Sequence, residues 1–350
     1  MVSQPLRLLM IMPYLPWPTT SGGKLRQYHL LRCLAQRGHR ITLLVQSRTP
    51  LDAATRAMLE PLLDELIVLP RRPLRSLATL WHGLFSPLPL LASVNGHAPA
   101  LQARVAQLLQ QYWDVVQVEH SYAFQPCLRP LAQRRAPLVV SEHNLESSLA
   151  AVTWARLPWP LRLLSGPDAA RYRRWERRVL GHADAVVAMT DADAQQFAGL
   201  TTTPVAVVVN ASDTAAFATV QPDLDGARVL FVGNYDYAPN RDAVAWLLEE
   251  VMPRVWEQLP QLTLALCGHG LPPAWPRRWQ DARIDWVGFV EDLQVEQARA
   301  SAFVAPLRDG GGSKLKVIEA MAAGLPLVAT AQAVSGLAVA DGVHCLLADD

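Results

Sequence analysis

The chain has 350 residues, 51% hydrophobic and 18% charged, with 27 prolines. That supplies apolar material for two packed domains rather than one and excludes low-complexity disorder. A formal net charge of +1 argues against a general nucleic-acid binder, which needs a basic excess or at least a basic face.

The N-terminal text "MVSQPLRLLMIMPYLPWP" has an apolar run too short for a signal peptide and no small-residue cleavage site. Leu6–Met12 reads instead as a buried strand. A Pro-, Thr- and Gly-rich loop follows, then the helix "GKLRQYHLLRCLAQRG" closed by Gly38, with Leu30, Leu31, Leu34 and Ala35 as its apolar stripe. After it come "RITLLVQ", "VVQVEH", "PLVVSEH", "ADAVVAMT" and "PVAVVVN". Each is a continuous apolar run ending in polar residues, as expected of a parallel strand buried on both faces. Residues 211–226 turn to Ala, Ser, Thr, Asp and Pro and read as a linker. The alternation then restarts with "RVLFVGN", the helix "NRDAVAWLLEEVMPRVWEQLP", "LTLALCG", "IDWVGFV", "AFVAPL", a second helix and "LPLVAT". Two such alternations imply two doubly wound Rossmann-like α/β domains, 1–215 and 216–350, facing each other across a cleft. No run of 18 apolar residues occurs, so no membrane span is expected.

The second of those helices opens at "RDGGGSKLKVIEAMAAGLPLV". Glycines let the backbone approach a ligand, and a helix start offers unpaired N–H groups and partial positive charge. With Lys314 and Lys316 this makes an anion site suited to phosphate. Glu319 lies about 9 Å further along the axis at ~1.5 Å per residue, roughly the step from a diphosphate to ribose hydroxyls. The competing reading is a glycine turn followed by a solvated face with two lysines and a surface carboxylate; spacing alone does not choose between them. Walker A and GxGxxG patterns are absent, as are HExxH and DxD, so neither a nicotinamide cofactor nor an obligatory metal is expected. The four cysteines form no CxxC pair, which fits a reduced, cytoplasmic protein. His120 and His143 each follow a glutamate at a strand end; both are candidate functional groups or, alternatively, hydrogen-bonded strand terminators.

"PLRDGGGSKLKVIEAMAAGLPLVAT" resembles the donor-site segment of family 4 (group 1) retaining glycosyltransferases, which have the two-domain GT-B fold. "FVGNYDYAPNRDAVAWLLEEVMP", "VGFVEDLQ", "PWPTTSGGKLRQYHLLRCLAQRGHRITLLV" and "VVNASDTAAF" agree with it, so the resemblance covers nearly all of the chain. It implies transfer of a hexosyl unit from a nucleoside diphosphate sugar to a hydroxyl acceptor, the first domain binding acceptor and the second binding donor. It assigns Glu319 to the donor ribose and Lys314, Gly310, Gly311 and Gly312 to the diphosphate. Gly22 and Gly23 would admit backbone amides near the phosphate or sugar, and His120 would lie near the reacting sugar. The family's first glutamate would fall on Gly311, so Asp309 is the acid left to contact sugar hydroxyls. Arg241 is a phosphate-binding candidate where many members have a lysine. Members also continue past "HCLLADD", so the second domain reads as truncated. Polysaccharide or lipid-linked glycan assembly at the inner face of the membrane is the setting implied.

Two other readings stay open beside this one: a sugar-nucleotide epimerase, and a silent nucleotide- or glycan-binding protein. The stretch 71–93 mixes Arg with Leu, Trp and Phe, as either a membrane-interface segment giving peripheral contact or a helix covering the first domain. The basic, aromatic stretch 154–180 is either a binder of anionic lipid or sugar, or a solvated helix with buried Trp and Leu.

Overall fold

A computed structural model describes residues 4–71, 88–89, 98–143, 145–147, 165–310 and 314–349. Gly311, Gly312 and most of the stretches 71–93 and 154–164 lie outside the described residues. The chain divides into two compact units, one of residues 1–19 and 23–209 and one of residues 20–22 and 210–350.

The first unit holds a seven-stranded parallel sheet. Its strands are β1 (Arg7–Met12), β2 (Arg40–Ser47), β3 (Glu65–Pro70), β4 (Val115–Glu119), β5 (Leu138–Ser141), β6 (Ala185–Ala188) and β7 (Val205–Val207). They lie in the order β3-β2-β1-β4-β5-β6-β7, and β1 pairs Leu8 with Ile41 on one side and with Val115 on the other. The apolar runs are continuous because both faces are covered. Leu9 and Ile11 enter one core cluster while Leu8, Met10 and Met12 enter another, the alternation a pleated strand enforces.

Helix α1 (Gly22–Gln36) packs Leu31, Leu34 and Ala35 into the second of these clusters. Leu30, expected in the same stripe, is outside it. Gly38 closes the helix at φ +81°, with its N–H donated to the Ala35 carbonyl at 2.9 Å, a glycine C-terminal stop. Strand β7 is shorter than the sequence suggests. Its neighbour β6 ends at Ala188, whose carbonyl accepts from the Val208 N–H at 2.9 Å, and the carbonyls of Val208 and Val209 accept from the Arg26 guanidinium at 2.7 and 3.0 Å.

The second unit repeats the plan with β8 (Arg228–Val232), β9 (Thr263–Cys267), β10 (Ile284–Gly288), β11 (Ala302–Ala305), β12 (Leu327–Ala329) and β13 (Leu346–Leu347), ordered β10-β9-β8-β11-β12-β13. The long helix expected after β8 is broken. An α-helical part, Ala238–Trp246, passes through a π-helical turn, Leu247–Val251, into Met252–Gln258. Pro253 explains the break, because it has no N–H to give the Glu249 carbonyl one α-turn back. The expected linker contains a helical turn of its own, Thr214–Phe217. Among the described residues no helix is long and apolar enough to cross a membrane.

Candidate active site

In each sheet the strand order reverses beside the first strand, between β1 and β4 and again between β8 and β11. In open parallel sheets ligands bind beyond the carboxyl ends of the strands at such a reversal. Most of the site residues expected from sequence fall at one of these two places.

In the second unit the reversal is flanked by the loop after β8 and by residues 306–310 after β11, which lead toward helix α2 (Leu315–Ala322). Gly310 has φ +115°, and a Cβ there would lie 3.1 Å from the Tyr237 hydroxyl, so only glycine fits. The Asp309 carboxylate accepts from the Gly310 N–H at 2.7 Å. The Gly310 carbonyl accepts from Lys314 Nζ at 3.0 Å and from the Gln332 amide at 2.5 Å. Lys316 Nζ donates to Asn240 Oδ1 at 2.6 Å and sits 4.5 Å from the centre of the Phe231 ring. Asn240 in turn donates to the Asn234 carbonyl at 2.7 Å, tying the loop after β8 to α2. Burial, and then Lys314, pull the Lys316 ammonium down to about 7.

Glu319 lies one turn below Lys316 on α2. Burial alone raises its carboxyl to about 7, and it makes no hydrogen bond among the described residues. Lys316 and Glu319 thus lie on one short helix at the reversal, with Lys314 at its N-cap. Arg241 stands apart from them, exposed, its guanidinium donating to the Tyr235 carbonyl at 3.3 Å. Arg308 is paired with Asp242 at 2.9 Å and stacked 5.0 Å over Trp246.

In the first unit the reversal brings Tyr14, just beyond β1, to His120, just beyond β4. Tyr14 Oη and His120 Nε2 share a hydrogen bond of 3.0 Å. His120 has φ +66°, a left-handed conformation costing a non-glycine residue on the order of 1–3 kcal/mol. Its ring stacks on Tyr122 at 4.9 Å and lies 4.1 Å from that of His143. Burial, and then His143, hold its pKa well below the usual value, so the ring is neutral. His120 Nδ1 is buried with no partner among the described residues.

His143 Nε2 donates to Glu119 Oε2 at 3.0 Å, and Gln117 donates to Glu119 Oε1 at 2.5 Å. Burial pushes the Glu119 carboxyl up, but these two bonds and the Arg26 charge more than offset it and leave it below its ordinary value. Gly23, in the first turn of α1, belongs to this cluster: a Cβ there would lie 2.9 Å from the Tyr14 hydroxyl and 3.4 Å from His143 Nδ1. Gly22 opens the same helix. Behind His143 lie three buried carboxyls. Glu142 is pushed well above the ordinary range by burial and Glu146, Glu146 to about 7 by burial and Glu176, and Glu176 upward by burial.

Sequence reasoning did not single out Tyr14 or Glu119, although both stand at strand ends, the signal that pointed to His120. Asn240 falls with Arg241 in the region where many family members have a phosphate-binding lysine, with Arg241 as the candidate; in the structure it is Asn240 that meets Lys316. Among the described residues, no group of three or more His, Cys, Asp or Glu side chains is placed to hold a metal ion.

Comparison with known proteins agrees with this geometry. Residues 21–216 match the family described as Glycosyltransferase Family 4, and residues 226–350 match Glycosyl transferases group 1. Phosphatidyl-myo-inositol mannosyltransferase of Mycobacterium tuberculosis is 30% identical over 261 residues, 70% of this chain and 62% of the relative, so the match spans less than two thirds of that protein. Among solved structures, Anabaena HepE in complex with UDP and glucose superposes with a TM-score of 0.64 at 18% identity, covering 98% of this chain and 85% of that one. Sucrose-phosphate synthase from Thermosynechococcus elongatus gives 0.65 at 18% identity, covering 95% and 82%. The paired parallel sheets are those of the GT-B fold, and the chain belongs to the family 4, group 1 glycosyltransferases.

Proposed function

We propose that the protein transfers a hexosyl unit from a nucleoside diphosphate sugar to a hydroxyl of a glycan or lipid-linked acceptor, with retention of anomeric configuration. The observation that carries this reading is the second-unit reversal. There Lys316 makes no ion pair among the described residues, and the Glu319 carboxyl makes no hydrogen bond among them. An anion beside a diol would satisfy both. The mannosyltransferase relative and the UDP- and glucose-bound HepE structure support the same class of donor.

In this reading Lys314, Lys316 and the backbone amides of Gly310, Gly311 and Gly312 hold the diphosphate, with Arg241 at the rim. Glu319 accepts from the ribose hydroxyls and Asp309 from sugar hydroxyls. Catalysis rests on positioning and on stabilising charge that builds on the departing diphosphate. Gly22 and Gly23, at the start of α1, leave room for backbone amides near the phosphate or sugar, and the first unit is the acceptor-binding one. His120, neutral and strained, presents Nδ1 to the reacting sugar. Work at the inner face of a membrane, through peripheral contact, completes the proposal.

The test is to incubate the protein with UDP-glucose, UDP-galactose, GDP-mannose and a panel of glycan and polyprenyl acceptors. Nucleoside diphosphate release and the product anomer are then followed by NMR. Acceptor-dependent release with the donor's anomeric configuration supports the proposal. Release that yields only free or epimerised sugar contradicts it.

A further inference from the structure

What an imidazole can do depends on which ring nitrogen carries the proton, and the hydrogen bond made by one nitrogen sets the state of the other. At the first sheet's reversal that partner is Tyr14. Its hydroxyl and His120 Nε2 lie 3.0 Å apart, and the hydroxyl makes no other hydrogen bond among the described residues. Burial, and then the charge of Glu119, push the Tyr14 pKa well up, so the phenol keeps its proton. Burial, and then His143, keep the His120 ring neutral, so the ring has one proton to place on two nitrogens.

Two arrangements satisfy that count. If the phenol donates to Nε2, the ring proton sits on Nδ1, and a single N–H is left over at a buried atom. If Nε2–H donates to the phenol oxygen, the phenol proton and the Nδ1 lone pair are both left over. Each polar group left unbonded away from water costs its desolvation, so the first arrangement is the more stable. The backbone holds it in place. The His120 N–H donates to the Ser141 carbonyl at 2.8 Å, and the His120 carbonyl accepts from the Ala123 N–H at 3.0 Å. Gly23 admits the phenol, since a Cβ there would lie 2.9 Å from the Tyr14 hydroxyl and would push it off Nε2.

We infer that Tyr14 is a positioning residue: by donating to Nε2 it fixes His120 as the Nδ1–H tautomer, so His120 offers the reacting sugar a hydrogen-bond donor rather than a base. The inference rests on the proposed placement of His120 beside that sugar and sharpens it by giving Nδ1 a proton. A neutral ring in this state can hold a sugar oxygen at Nδ1 but has no lone pair there to take a proton.

The experiment is nitrogen-15 NMR of the full chain labelled at histidine, in which the long-range couplings of the ring distinguish a protonated nitrogen from a bare one. His120→Asn, a residue type that tolerates positive φ, identifies the His120 signals by their loss. Wild type should carry the proton on Nδ1. Tyr14→Phe keeps the aromatic ring and removes only the hydroxyl. It should move the proton to Nε2 in a resolvable share of molecules and slow transfer about tenfold or more, with nucleoside diphosphate affinity within about twofold of wild type. Gly23→Ala displaces the hydroxyl without removing it and should move the proton in the same direction. A wild-type ring protonated on Nε2, or on both nitrogens, overturns the inference. A proton that stays wholly on Nδ1 in Tyr14→Phe overturns it too, as does wild-type transfer by that variant. Should Tyr14→Phe fail to fold, a proton that stays on Nδ1 in Gly23→Ala counts equally against it. The spectra need no substrate, so the tautomer assignment and the transferase reading fail independently.

Discussion

Replacing Lys316 by methionine tests the proposed donor site at its most unusual residue. The ammonium touches Asn240 Oδ1 at 2.6 Å and the face of Phe231, and its pKa lies at about 7 rather than 10.5 because burial and Lys314 disfavour the charge. A bound diphosphate reverses that balance by placing opposite charge beside it. Binding therefore draws a proton onto Lys316, and affinity falls as pH rises. The charged fraction drops from about one half at pH 7 to about 3% at pH 8.5, so affinity should fall roughly fifteenfold over that interval.

The stability effect has the opposite sign. A lysine whose folded pKa is depressed destabilises the fold while it is protonated, a cost relieved as pH rises from about 7 toward 10.5. Lys316→Met removes the cost and should leave the melting temperature at pH 7 unchanged or higher. Calorimetric titration of UDP and GDP between pH 6.5 and 9, with thermal melts alongside, reads both effects. The variant should bind at least tenfold more weakly at pH 7 and lose the alkaline fall. Wild-type affinity with an unchanged pH slope, or a weakening that merely follows a lower melting temperature, would refute the reasoning.

Glu319→Gln addresses the acid side. Burial holds the carboxyl at about 7, so hydroxyls that need the ionised form should bind more weakly as pH falls from 7 to 5.5, and the variant should lose that dependence in the same titration. Gly310→Ala forces a Cβ onto a backbone at φ +115° and toward the Tyr237 hydroxyl. It should cost on the order of 1–3 kcal/mol in urea denaturation and abolish nucleotide binding. Glu146→Gln should flatten a stability slope in the first unit. A carboxyl raised from 4.5 to about 7 contributes stability that is present in full below pH 4.5 and is lost as pH rises to and through 7, about 1.4 kcal/mol of it between pH 6 and 8.5, so wild type should lose more melting temperature than the variant over that interval. His120→Ala should cut transfer on the order of 100-fold while leaving nucleoside diphosphate affinity within about twofold, the pattern of a group acting on the reacting sugar.

Much of the fold was legible because its strands are buried on both faces: a run such as Arg7–Met12 admits few other readings. The elements that escaped were governed by single contacts. Strand β7 stops where β6 stops, with the Val209 carbonyl held by the Arg26 guanidinium 183 positions away, and Pro253 turns one helix into two joined by a π-turn. At the candidate site, position relative to strand ends pointed to His120, and the glycine-to-helix pattern pointed to Lys314 and Glu319. That pattern could not say which lysine faces inward. A helix face with two lysines reads as solvated until Asn240, 76 residues away, is seen to take the second one. The Glu119–His143 pair was equally hidden, since it joins residues 24 positions apart on neighbouring strands.

The central claim is that the second sheet's reversal binds a nucleoside diphosphate through α2. Calorimetric titration with UDP, GDP, ADP and NAD, wild type beside Glu319→Ala, tests it most directly. The account predicts that one nucleoside diphosphate binds wild type, that NAD does not, and that Glu319→Ala weakens binding at least tenfold. Wild type that binds none of the three diphosphates, or a variant that binds as tightly as wild type, would contradict it.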